Sequence, residues 1–188
     1  MIDYSLLNES DKKNVQEAIS NKQPFFGYIP EYGFEFILNN YKFLAKAGVL
    51  EESWMQAYIH STDFSKVTMA QLKEVFEACL KSKLQEAYPI PEGHKFSGGK
   101  RFSLFRGCAG PIHNLGMSWC DSLDKAIWYA SSHSERCNLS NLAVYATTVS
   151  KDEIYCVGDH YDYDFIVLPK VAWRIDVPQQ EFRLNRPR

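Results

Sequence analysis

The hydrophobic period of this chain changes once, near residue 90, and that change limits the folds open to it. Upstream the apolar residues recur at helical spacing. Asn8, Glu9, Ser10 and Asp11 offer cap residues before Val15, Ala18 and Ile19, and Asn21 with Pro24 closes the segment. Tyr32, Phe36, Ile37, Leu38, Tyr41, Leu44 and Ala45 predict a second helix stopped at Gly48, and residues 52–60 a third. A fourth is expected from Thr68 through Leu72, Val75, Phe76, Cys79, Leu80 and Leu84, ending before Pro89 and Pro91. Beyond the Pro- and Gly-rich stretch 89–99 the pattern becomes short β-branched and aromatic runs at 102–105, 142–149, 154–157, 165–168 and 171–177, which predict strands. Only 122–134 reads as helix there, with Leu123, Ala126, Ile127 and Ala130 on one face. The expected class is α+β: a helical region, 1–93, packed on a β-rich region, 94–188, as one globular unit.

Composition narrows the class further. Hydrophobic residues at 45% and charged residues at 23% describe a chain that folds around a core, and no window approaches the roughly 20 apolar residues of a membrane span. The start, from Met1 to Glu9, has neither the basic nor the apolar region of a secretory signal, so a cytoplasmic location and no membrane partner are expected. Five scattered cysteines do not form a disulfide framework, and Cys108, His113, Cys120, His133 and Cys137 lack the close pairing of zinc ligands; reduced thiols and no metal are expected. Residues 1–93 carry a net charge of −4 and residues 94–188 a net of +2. Lys95, Lys100, Arg101 and Arg106 stand together with no acid from 94 to 113, and Arg183, Arg186 and Arg188 crowd the end. Such a face attracts phosphates, although solvated surface charge produces the same pattern.

Three short segments carry chemistry. Phe105-Arg106-Gly107 stands at a predicted strand end; Gly116-Met117-Ser118-Trp119-Cys120-Asp121 precedes the helix containing Ala126-Ile127-Trp128-Tyr129-Ala130; and Asp162-Tyr163-Asp164 runs into Phe165-Ile166-Val167-Leu168-Pro169. Ser97-Gly98-Gly99-Lys100-Arg101 lacks the order of a phosphate loop and leads into a strand, so it is expected to be a turn.

In order, spacing and strand context, these segments make 102–176 resemble bacterial and phage mono-ADP-ribosyltransferases of the arginine, serine, glutamate type. The resemblance implies a split β-sheet core that binds NAD as co-substrate. It implies Arg106, Gly107, Ser118, Trp119, Trp128 and Tyr129 as dinucleotide-binding residues, and Asp164, Asp162 and Ser118 as the catalytic set. Rupture of the nicotinamide–ribose bond builds positive charge on the ribose, so a carboxylate beside it stabilises the transition state, the role expected of Asp164. A guanidinium at Arg106 suits phosphate oxygens through charge-assisted bonds. Asp162 corresponds to the residue that meets the acceptor. Tyr161 and Tyr163 would stack on a flat acceptor, and Lys100 with Arg101 would attract a polyanionic one.

In one respect the chain departs from the pattern: the last acid is aspartate, one methylene shorter than the family's glutamate, and an error of about 1 Å costs on the order of a hundredfold in rate. Glu153 is a poor substitute, because it begins the preceding strand. The expected function is intracellular ADP-ribosyl transfer to a nitrogen nucleophile of nucleic acid or protein. Small stand-alone relatives of this kind are toxins of toxin–antitoxin, anti-phage defence or phage systems, which implies an antitoxin protein as a partner. The competing functions are a silent relative that binds NAD, ADP-ribose or a protein, and an NAD glycohydrolase.

Overall fold

Asn8 opens the first helix as its pattern requires, its side chain accepting from the Asp11 amide at 2.9 Å. The computed structural model describes residues 1–61, 64, 67–94, 99–110, 116–158 and 164–182. It is a mixed α+β chain whose described residues form six α-helices and two small antiparallel sheets, divided into two compact units, Met1–Ala87 and Tyr88–Arg188.

The first unit is helical: α1 (Glu9–Ser20), α2 (Gly33–Ala47), α3 (Glu51–His60), α4 (Met69–Ala78) and α5 (Lys81–Ala87). Their apolar faces enclose an aromatic core in which Trp54 stacks on Phe34 at 5.5 Å and meets the edge of Phe76 at 5.4 Å. Burying each such ring stabilises the unit by about 2–3 kcal/mol. The single helix expected from Thr68 to Leu84 is two. Thr68 starts α4 with a reciprocal cap to Gln71, but Cys79 turns to an extended conformation. The next amide, Leu80, is taken by the buried carboxylate of Glu51 at 2.9 Å. A bond to a residue distant in sequence replaces the helical one, and no local period encodes it.

The second unit holds β1 (Phe102–Ala109), β2 (Ser118–Trp119), α6 (Leu123–Cys137), β3 (Leu142–Val149), β4 (Ile154–Val157), β5 (Phe165–Val167) and β6 (Trp173–Ile175). One sheet has the order β1-β3-β6 and the other β2-β5-β4. Both contribute to one core: Phe102, Leu104 and Val149 from the first sheet meet Trp119, Ile154, Val157, Phe165 and Val167 from the second. Ser122 caps α6, whose apolar face presses Ala126 and Ile127 toward Val144 and Cys120. Strand β1 extends four residues past its expected end because Gly107, Cys108 and Ala109 are small and buried, and pair with Val144, Ala143 and Leu142 of β3. Among the described residues no helix is long and apolar enough to cross a membrane.

Candidate functional site

The two sheets meet where Phe105 of β1 and Cys120, just past β2, exchange backbone bonds of 2.7 and 2.8 Å. That bridge sets Arg106 beside β2, and its Nη1 donates to the Ser118 carbonyl at 2.8 Å. The guanidinium lies where a side chain at 116 would begin: a Cβ there would overlap its Nη2 and Cζ. Glycine at 116 is thus a condition for Arg106 reaching β2.

Strand β2 pairs in turn with β5, Ser118 opposite Ile166 and Trp119 opposite Phe165. Side chains alternate along strands, so Trp119 and Phe165 point into the core and Ser118 shares the other face with Ile166. Asp164 stands one residue before β5, its carbonyl accepting from the Gly158 amide at 2.7 Å. Continuing the register sets Asp164 opposite Cys120, and its charge is felt there. The Cys120 thiol is pushed up to about 12, first by burial and then by the carboxylates of Asp164 and Asp121. Arg106, Ser118 and Asp164, far apart in sequence, are therefore gathered at one corner of β1, β2 and β5, each half-buried.

The other expected residues divide by position. Tyr129 of α6 packs on the cluster of Cys120, Ala126, Ile127 and Val144, and the Trp128 ring lies 4.9 Å from its own. Trp119 is 1% exposed, a core residue whose indole N–H donates to the Gly116 carbonyl at 3.0 Å. Gly107 is buried beneath α6, where a Cβ would overlap the Ala126 carbonyl. Packing accounts for both Gly107 and Trp119, and neither presents a surface to a dinucleotide. Arg101 is paired with Glu153 at 3.0 Å and with the Thr148 carbonyl. With exposed Lys100, it precedes the opposite end of β1, about 16 Å along the strand from Arg106 at ~3.3 Å per residue. Tyr161, Asp162 and Tyr163 lie outside the described residues, as do Lys95, Ser97, Gly98 and the arginines at 183, 186 and 188.

Structure also adds residues that sequence reasoning missed. Arg174 of β6 is in register with Tyr145 of β3, which is in register with Arg106, so two guanidinium groups share one row of the first sheet. Burial raises the Cys108 thiol above its ordinary value, and both arginines partly oppose that shift. A cavity of about 320 Å³ opens beside Arg174, bordered by Val144, Asp176 and Phe182. His94 lies on the core side of β5, its ring 5.2 Å from that of Phe165 and its Nε2 3.2 Å from Asp121 Oδ2. The acid at 121 belongs to a recognisable motif, but no motif marks His94, which follows a Pro-rich run. Among the described residues no group of His, Cys, Asp and Glu is arranged to hold a metal ion. Comparison with family models, curated proteins and solved structures returned no match.

Proposed function

We propose that the second unit is an NAD-dependent mono-ADP-ribosyltransferase core. The observation that supports this is the meeting of three residues that bear a guanidinium, a hydroxyl and a carboxylate, Arg106, Ser118 and Asp164, at the junction of β1, β2 and β5, with Trp128 and Tyr129 on the adjoining α6. In this reading Arg106 takes the dinucleotide phosphates, Ser118 bonds the nicotinamide ribose, and the aromatic pair holds the nicotinamide ring. Asp164 faces the ribose 2′-hydroxyl. The bond from ribose C1′ to the nicotinamide nitrogen breaks, its electron pair leaving with nicotinamide. A nitrogen lone pair of the acceptor forms the new bond at C1′, and the acceptor's proton passes to a base, the role assigned to Asp162. Asp164 acts by stabilising positive charge present mainly in the transition state. As a small transferase of this kind the protein would serve as a toxin or defence effector in the cytoplasm, acting on nucleic acid or protein and restrained by an antitoxin.

A second reading, binding of NAD or ADP-ribose without cleavage, is favoured by the short acid at 164. The test is incubation of the purified chain with adenylate-labelled NAD and whole-cell lysate, followed by separation of protein, RNA and DNA. Transfer is expected in the wild type, loss of it in Asp164→Ala with an unchanged melting temperature, and an increase in Asp164→Glu. Free labelled ADP-ribose alone would mean hydrolysis. Retained but intact NAD in both wild type and Asp164→Glu would mean a silent binder, and neither binding nor cleavage would reject the assignment.

A further inference from the structure

We infer that His94 and Asp121 form a brace that sets the position of Asp164, making His94 a positioning residue; this rests on the transferase reading above. The brace starts with a turn. Gly93 has φ +77°, and the His94 amide donates to the Pro91 carbonyl at 3.2 Å, the pattern of a turn with glycine third. Upstream of this turn, the Tyr88 carbonyl accepts from the Val157 amide at 3.1 Å, fixing the segment to the end of β4. Ile90 packs on the core shared by the sheets. The imidazole is thereby delivered between two residues that flank the site. On one side is the ring of Phe165, which directly follows Asp164. On the other is the carboxylate of Asp121, which directly follows Cys120, the residue opposite Asp164 in register. His94 is 12% exposed at its side chain and Asp121 31%, so the imidazole is shielded while the carboxylate stays in reach of water.

The consequence falls on the strand that carries the acid. Strand β5 is only three residues long, and its N-terminal end is held by the Trp119–Phe165 pairing and by the Gly158 amide on the Asp164 carbonyl. A ring set between Phe165 and the Asp121 carboxylate fills the space between β5 and the turn after β2, so the spacing of Asp164 from Ser118 is set from behind. For a carboxylate one methylene short, that spacing decides whether the ribose hydroxyl is reached.

The experiment reads position and catalysis separately, on the full chain. Amide hydrogen exchange at Gly158 reports the Asp164 carbonyl directly. In His94→Ala and Asp121→Ala it is expected to accelerate about tenfold, while the Phe105 and Cys120 amides at the sheet junction keep their protection. NAD cleavage should lose on the order of a hundredfold in kcat with KM unchanged, and His94→Gln, which keeps a planar polar group between Phe165 and Asp121, should restore most of both signals. If His94→Ala does not fold, Asp121→Ala, which leaves the imidazole against Phe165, decides by the same readings. Wild-type exchange at Gly158 in the variants overturns the brace even where NAD is cleaved. Faster exchange at Gly158 in a protein that leaves NAD intact supports the brace and removes the transferase reading instead.

Discussion

Cys120 carries a chemical record of what surrounds Asp164. Its thiol is hydrogen-bonded to the Phe105 and Ser122 carbonyls and buried; burial first, with the Asp164 and Asp121 carboxylates, pushes it from 9.0 to about 12 against the opposing Ser122 bond, and Cys156, raised by burial alone, reaches about the same value. Raised folded values mean that the neutral thiols contribute stability fully present below about pH 9, lost as pH climbs toward 12. Thiolate is the reactive form, so native-state alkylation at pH 8 should modify exposed Cys137 quickly and leave buried Cys79, Cys108, Cys120 and Cys156 slow. Peptide mass spectrometry after a short pulse of iodoacetamide checks this. Fast labelling of Cys120 would mean that the corner opposite Asp164 is open, contrary to its burial.

At the scale of elements, the glycines of the first two motifs, Gly107 and Gly116, do different work. An alanine at 107 meets backbone, the Ala126 carbonyl and the Ala130 nitrogen, which cannot move without lifting α6 from β1. Gly107→Ala should therefore cost about 3 kcal/mol or more in denaturant unfolding. An alanine at 116 meets only the guanidinium end of Arg106, which can swing off the Ser118 carbonyl. Gly116→Ala should cost nearer 1 kcal/mol and, on the transferase reading, weaken NAD binding at least tenfold, measured by calorimetry. Equal stability losses would refute the distinction. Much of this architecture was legible in the sequence. Strands β3 and β4 fall where their apolar runs predict, and Asn8, Thr68 and Ser122 cap helices as their chemistry requires. Helix α6 runs three residues past its expected end, to an Asn138 in the left-handed region. The interruption between α4 and α5 depends on Glu51 and the usefulness of His94 on Phe165 and Asp121, contacts between residues far apart in the chain that no local period records. Arg106 and Ser118 were readable as a motif; that the arginine bonds the serine's backbone was not.

For the whole molecule, the transferase reading leaves a choice between a nucleic-acid and a protein acceptor, and charge layout provides the lever. The chain's pI of about 6.2 speaks for a protein target, whereas the basic residues from 95 to 106 speak for a polyanion. The structure separates their roles. Arg101 is held by Glu153, whose carboxyl is kept below its ordinary value by the Ser150 amide first and by Arg101 and Lys170 to a lesser degree. Glu153 thus stabilises the fold above its ordinary pKa of 4.5, and that contribution is lost as pH falls through the lowered value. Reversing Arg101 would disturb this pair as well as any phosphate contact. Lys100 is exposed, so Lys100→Glu is the cleaner probe. About 20 Å from Arg106 at ~3.3 Å per residue, it is too far to touch a base that would receive ADP-ribose but well within the footprint of a strand of several nucleotides. If the acceptor is RNA or DNA, Lys100→Glu should lower modification several-fold and leave NAD cleavage in water unchanged. It should also reduce the slope of log rate against log salt by about one, the share of a single phosphate neutralised by a lysine. The wild type should itself lose activity steeply as salt rises, since each phosphate contact releases counterions. A shallow salt slope with unchanged transfer in Lys100→Glu would assign the acceptor to protein and leave the basic run as a solvated turn.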